Sequence, residues 1–287
     1  MIRTTKTAMK RFINILRILI LLLLSARLYA FDHQYQEYAG VLKTFVKDGR
    51  VDYATLKKNR AAIDNFIKQI GAVKGEEYQS WSHDQQLAYW INTYNGWFLQ
   101  IVIDRYPLRG SKILGAFYPE NSVQRIPGIW DNVRTLAAGR SVSLNDIEHK
   151  ILRPIFQEPR IHFSIVCASL GCPLLRSEPF VPDVLQSQLD EAAKSFINNP
   201  SKVRFDSAKK TLQLSRIFDW FADDFQSAAD ESSKKLYSKK NAGPVAFVSK
   251  YLPADVAEAL HKSAAKIEYF DYDWTLNDSA GGPPALH

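Results

Sequence analysis

The sequence predicts one α+β domain, mostly helical with a small β-sheet. Three observations predict it. Amphipathic segments with helical spacing recur along most of the chain. Two short β-rich runs, Val203-Arg204-Phe205 and Leu212-Gln213-Leu214, flank a polar turn and read as a hairpin. No internal repeat or long linker divides the body. A hydrophobic content of 46%, with 12% aromatics, excludes general disorder.

The first 30 residues differ from the rest. They carry Arg3, Lys6, Lys10, Arg11, Arg17 and Arg27 and no acid, then an apolar run from Ile18 to Leu24, with Ser25, Ala26 and Ala30 before Phe31. This is the pattern of a secretory signal peptide cut after Ala30, with Leu28 out of place where a small residue is usual. The run is too short to span a bilayer, which needs about 20 apolar residues, and no later segment is long enough. The mature chain is therefore expected to be periplasmic or secreted, with no integral membrane span. Taking those six bases from the 37 leaves 31 against 30 acids. So balanced a body gives no reason to expect nucleic acid; a small molecule, a peptide or an envelope component is the expected partner.

Residues 31–277 are expected to form the domain and 278–287, with Gly281-Gly282-Pro283-Pro284, a flexible tail. The domain opens with a helical stretch from Phe31 to Lys47, an extended Val51-Asp52-Tyr53, and a second helix from Thr55 to Gly71. Gly75 to Trp81 reads as a polar connection. Ser82 with Gln85 three residues on is a capping box for the strongest helix, His83 to Arg105, stopped by Pro107. With Leu87 at zero, Ile91, Tyr94, Phe98, Ile101 and Val102 fall within about 60° of it; Asn95 and Asn92 sit at the edge, at about 80° and 140°.

Pro107 to Gly139 reads as irregular. A helix from Leu144 to Arg153 follows, begun by Ser143 and stopped by Pro154. It places Glu148 inside an apolar face and His149 towards its edge. Ile161 to Val166 reads as a buried strand, Ala168 to Pro173 as a turn, and Pro182 to Asn198 as a helix. Beyond the hairpin come helices over Trp220 to Phe225, Pro244 to Tyr251 and Asp255 to Ser263, and a last strand from Ile267 to Tyr272.

There is no P-loop, dinucleotide glycine fingerprint, H-E-x-x-H or G-x-S-x-G, so no cofactor is expected. Cys167 and Cys172, in Val166-Cys-Ala-Ser-Leu-Gly-Cys172, admit two readings. One is a structural disulfide in an oxidising compartment. The other makes Cys167 a nucleophile, with His149 or His162 as base and Asn92, Asn95 or Glu148 orienting the histidine or supporting an oxyanion. In an ideal strand His162 points away from Cys167, so His149 is the preferred base. A buried Glu148 serves equally as a salt-bridge partner or a perturbed active-site acid. Metal ligation by His149, His162, Glu148 and a cysteine is the third and weakest option; two cysteines alone do not make a structural zinc site.

The segments Trp90–Trp97 (WINTYNGW), Ser143–Pro154 (SLNDIEHKILRP), Arg160–Arg176 (RIHFSIVCASLGCPLLR) and Tyr269–Asn277 (YFDYDWTLN) together resemble the domain-of-unknown-function 547 family. Further likenesses lie at Val51, Gln188 and Leu214, so the resemblance runs from about Phe31 to Asn277. It implies that Trp90, Asn92, Tyr94, Asn95, Glu148, His149, Arg153, His162, Cys167, Cys172 and Pro173 share a site or a fold requirement. The family name assigns no activity. Two functions are therefore expected from the residues: an exported Cys/His thiol hydrolase or acyltransferase acting on an amide or ester, papain- or transglutaminase-like in logic, or a non-catalytic periplasmic binding module with a structural Cys167–Cys172 disulfide.

Overall fold

The computed structural model describes residues 31–108 and 118–280; the expected signal segment and positions 281–287 lie outside the described residues. The first expected helix is shorter than its pattern: α1 covers Gln36–Phe45, and β1 (Val46–Lys47) pairs with β2 (Arg50–Val51) across Asp48 and Gly49, at φ 50° and 75°. Asp52 then caps α2, Tyr53–Lys58, by accepting from the Thr55 N–H at 2.9 Å. Asn59 ends it by turning its side-chain amide back onto the Thr55 carbonyl at 2.9 Å, a local bond that competes with helix continuation. The helix expected over Thr55–Gly71 is thus two, the second being α3, Ala61–Ala72. The expected polar connection contains a short α4, Gly75–Gln79.

α5, His83–Arg105, has both arms of its capping box in place. It is not the one-sided amphipath its spacing suggests, because every residue from Leu87 to Leu99 is buried. α2 and α3 cover one side, and the helical segments at 146–156 and 182–184 cover others. A Cβ at Gly96 would stand 2.5 Å from the Phe66 ring, so glycine is what lets α3 approach this closely. Asn92 and Asn95, expected at the rim, are 1% and 4% exposed.

β3 (Arg134–Ala137) and β4 (Arg140–Ser143) form a hairpin inside and just beyond the stretch expected to be irregular. Ala138 and Gly139, at φ 47° and 73°, make the left-handed turn that suits twisted strands. Ser143 Oγ accepts from the Asp146 N–H and Asp146 Oδ2 from the Ser143 N–H, both at 3.1 Å, starting the next helix reciprocally. That helix, Asp146–Phe156, is a π-helix, and it runs through Pro154 to end at Gln157, φ 50°. An α-helix stops at proline because the ring meets the carbonyl four residues back; the wider π turn relieves that contact.

The strand expected over Ile161–Val166 is a 3₁₀ helix, Pro159–Phe163, followed by irregular chain. Pro159 occupies its first turn, the Glu158 carboxylate accepts from the Arg160 N–H at 3.0 Å, and Ser164 Oγ bonds the Arg160 carbonyl at 3.0 Å. These local bonds outweigh β-propensity, and the alternating-face objection to His162 falls with the strand.

A 3₁₀ turn, Pro182–Val184, leads into α6, Leu185–Ile197. The expected hairpin is present as β5 (Val203–Asp206) and β6 (Thr211–Leu214), joined in parallel by β7 (Lys266–Tyr269). Between them lie α7 (Ile217–Trp220), a 3₁₀ helix (Ala222–Ala228), α8 (Glu231–Leu236), α9 (Lys239–Ser249) and α10 (Ala254–Lys262). They enclose a phenylalanine core of Phe163, Phe196, Phe218, Phe225 and Phe247. The described residues from His33 onward belong to one compact unit, mostly helical with small sheets. No helix among them is long and apolar enough to cross a membrane.

The chain then returns to its beginning. Val51 N–H donates to the Asn277 carbonyl and Ser279 N–H to the Val51 carbonyl, both at 2.9 Å. Asn277 also accepts from the Tyr53 hydroxyl at 2.7 Å and donates to the Gly49 carbonyl at 3.0 Å. Asp278, expected to start a loose tail, is 6% exposed and accepts from the Tyr106 hydroxyl at 2.6 Å, so these contacts hold the chain past the expected boundary.

Candidate functional site

Three pieces of backbone converge on a cleft of about 270 Å³: the π-helix, the loop Cys167–Cys172, and the segment Tyr272–Trp274. The loop is pinned at both ends of its span. Asn95 donates to the Ser164 carbonyl at 2.9 Å and accepts from the Val166 N–H at 2.8 Å, fixing the approach to Cys167. Leu170 and Gly171 N–H groups donate to the carbonyls of Thr275 and Asp273 at 2.8 and 2.7 Å. A Cβ at Gly171 would stand 2.7 Å from the Tyr272 ring, so its absence allows that ring to lie on the loop.

Cys167 and Cys172 are joined in a disulfide, with Cα atoms 6.1 Å apart. Cys167 is partly exposed, whereas Cys172 is 4% exposed. The Cys167 N–H donates to Cys172 Sγ at 3.0 Å and the Tyr272 hydroxyl donates to the same sulfur at 3.1 Å. Around Cys167 Sγ stand Ser169 Oγ at 3.2 Å and the Tyr272 hydroxyl at 3.3 Å. No histidine is among these sulfur contacts.

Glu148 and His149 come from the π-helix, and both line the cleft. Burial pushes the Glu148 carboxyl up to about 7; Arg153 draws it down, Asp224 raises it further, and Tyr94 hydrogen-bonds it. The acid is therefore poised between its two protonation states near neutrality. Burial, then Arg153, lowers the His149 pKa, and the Arg153 guanidinium stands 2.9 Å from its Nδ1. Arg153 makes a two-pronged pair with Asp224 at 2.6 and 2.9 Å, and Asp224 also takes His162 Nε2 at 2.7 Å. Burial pushes His162 down against the pull of Asp224, so it is neutral and donates from Nε2. Burial raises Asp224, but the bonds from His162 and Arg153 outweigh it and hold the carboxylate well below its ordinary range. Phe221 stacks on His162 with centroids 4.1 Å apart.

The structure thus brings Cys167, Glu148, His149 and His162 to one cleft. Asn92 and Asn95 serve the backbone instead. Asn92 donates to the Phe180 carbonyl at 2.6 Å and accepts its N–H at 3.0 Å, as Asn95 does for residues 164 and 166. Both amides are occupied in this way, and neither Asn92 nor Asn95 lines the cleft. Among the described residues no three His, Cys, Asp or Glu side chains gather to hold a metal ion.

Sequence reasoning missed Asp224, Tyr272 and the indoles of Trp130, Trp220 and Trp274 that wall the cleft. The last two pack with Tyr272 at 4.8 Å (Trp220) and 4.6 Å (Trp274) between centroids. Their signal was the alternation Phe270-Asp-Tyr272-Asp-Trp274, which puts aromatic residues on one side of an extended chain. Asp224 was marked only as one of two adjacent acids, Asp223 and Asp224, between Phe221 and Phe225.

Searches of curated proteins and of solved structures return no match. A family model does match, over residues 78–197, a narrower span than the motifs suggest. It takes in α5, the π-helix and the disulfide loop but not Asp224, Trp220, Tyr272 or Trp274. Residues 78–197 match the model of the family described as Protein of unknown function, DUF547.

Proposed function

We propose that the chain is an exported binding module whose aromatic cleft takes a peptide, a glycan or another envelope component. One observation carries this reading: the sulfur at the cleft wall is bonded to its neighbour, so no thiolate faces a ligand, while indole and phenol rings do. Aromatic faces supply large contact area at little entropy cost, and Glu148 with His149 offers polar partners within it. The disulfide and the basic, then apolar, first 30 residues support an oxidising, exported location. The test is tryptophan fluorescence during titration with short peptides and with cell-wall oligosaccharides. Trp274→Ala is expected to weaken binding about tenfold; equal affinity in the variant, or no quenching by any of these ligands, would sink the reading.

A second reading keeps the thiol hydrolase or acyltransferase, because Cys167 shares its cleft with Glu148, His149 and His162. It operates only after the disulfide is reduced. In that case reduced protein turns over p-nitrophenyl acetate and Cys167→Ala does not; identical rates in the two exclude it.

A further inference from the structure

The two sulfurs of the cleft are chemically unlike. Both line the cleft, but Cys167 is partly exposed with the Ser169 and Tyr272 hydroxyls beside its sulfur, whereas Cys172 is 4% exposed and takes the Cys167 backbone N–H as well as the Tyr272 hydroxyl. A disulfide sulfur is a weak acceptor and gains little from an N–H and an O–H. A thiolate gains much more, because hydrogen bonds to a charged acceptor are the strong ones. Donors placed where negative charge develops, rather than where it already exists, are the arrangement that lowers a barrier.

The bland alternative is a disulfide kept for stability. Closing so short a loop removes little chain entropy, and the loop is already tied down by Asn95 and by the segment 273–277. Stability therefore leaves the backbone N–H held on the buried sulfur, beside a hydroxyl shared by both sulfurs, unexplained.

We infer that Cys167–Cys172 is an exchanging disulfide and that the cleft receives a thiol-bearing peptide, which reduces it. This rests on the cleft being a binding site and adds the class of ligand that reacts there. A peptide thiolate attacks the accessible Cys167 Sγ, and a new sulfur–sulfur bond forms as the Cys167–Cys172 bond breaks. The electron pair of the broken bond stays on Cys172 Sγ, held by the Cys167 N–H and the Tyr272 hydroxyl. A second thiolate of the peptide then attacks the peptide's own sulfur in the mixed disulfide and releases Cys167. The peptide leaves with a disulfide; the protein has gained two electrons and takes up two protons. A small-molecule disulfide reoxidises it. Glu148 lines the same cleft as both sulfurs.

The experiment uses the full chain, with a fluorescein-labelled peptide carrying a cysteine flanked by tryptophan as the probe. In the Cys172→Ser protein, whose Cys167 is a free thiol, the peptide supplied as its mixed disulfide with thionitrobenzoate should become trapped on Cys167 with release of thionitrobenzoate, at least roughly tenfold faster than Cys167→Ser traps it on Cys172. Tyr272→Phe should slow reduction of the native disulfide roughly tenfold, the worth of one bond to a charged sulfur, with unchanged circular dichroism. Equal trapping on both cysteines, or a disulfide that yields to reduced glutathione only after denaturant is added, overturns the inference. A serine version of the peptide separates the two proposals. If it quenches tryptophan fluorescence while the cysteine peptide does not exchange, the inference fails and the binding reading stands. If exchange occurs at Cys167 but neither peptide nor sugar quenches, the binding reading fails and the exchange chemistry stands.

Discussion

Glu148 is 9% exposed and Asp224 is held by an arginine and a histidine, so two carboxyls of one neighbourhood titrate in opposite directions. Burial raises Glu148 from its ordinary 4.5 to about 7, so between those values the folded state binds more protons than the unfolded one. This group's stabilisation is full below about pH 4.5 and is lost as pH rises towards 7, for a total of about 3 kcal/mol. Glu148→Gln should flatten that slope and leave the protein more stable at neutral pH by about 1–3 kcal/mol. Urea unfolding at a series of pH values checks it; an unchanged slope refutes it. Asp224 has the reverse sign: its stabilisation is present above about pH 4 and vanishes in acid. Asp224→Asn removes the charge that pairs with Arg153 and turns one of the two accepting oxygens into a donor, and should cost about 3–5 kcal/mol at neutral pH, read from the same experiment. At this scale the sequence was informative where a charge interrupts a periodic face, as at Glu148. It was silent on Asp224, whose partner His162 stands 62 residues away.

Asn95 brackets one turn of chain, bonding residues 164 and 166 from the middle of α5. Asn95→Ala strands a buried carbonyl and a buried N–H, at about 1–3 kcal/mol each. It should therefore lower the urea midpoint clearly and raise hydrogen exchange at Val166; a midpoint shift with Val166 still protected would place the loss elsewhere. Elements were legible wherever their cause is local: the Ser82–Gln85 box set the start of α5, and the polar turn between Phe205 and Leu212 set the hairpin. They were misread where neighbours decide. Ile161–Val166 has a strand's composition, but Pro159 and the Glu158 and Ser164 side chains wind it into a 3₁₀ turn. Pro154 would end an α-helix and does not end a π-helix, a distinction that hydrophobic spacing does not carry.

Across the whole molecule, fold class was legible because composition and periodicity determine it. The cleft was only half legible, because its walls come from residues far apart in the chain: Tyr94, the π-helix, the disulfide loop, Trp220 and Tyr272–Trp274. Asn277 is the tie that closes this arrangement, bonding both Tyr53 and Gly49. Asn277→Ala should lower the melting temperature by about 5–10 °C, the equivalent of two lost buried hydrogen bonds in a domain of this size. Differential scanning fluorimetry measures it, and a melting temperature within about 1 °C of the parent would show the tie to be dispensable.

The same tie sets a timetable. Tyr53 and Asn277 are 224 positions apart in the chain, and loops of that length close late and slowly. During synthesis the cysteines emerge about a hundred residues ahead of Tyr272 and Asn277. The sulfurs can therefore meet oxidants before the segment that selects their environment exists. A nascent chain has thiols but no cleft, and the lining that gives them a defined chemistry arrives with the last residues to fold. Until then, which bond the cysteines form is governed by the compartment and not by the protein.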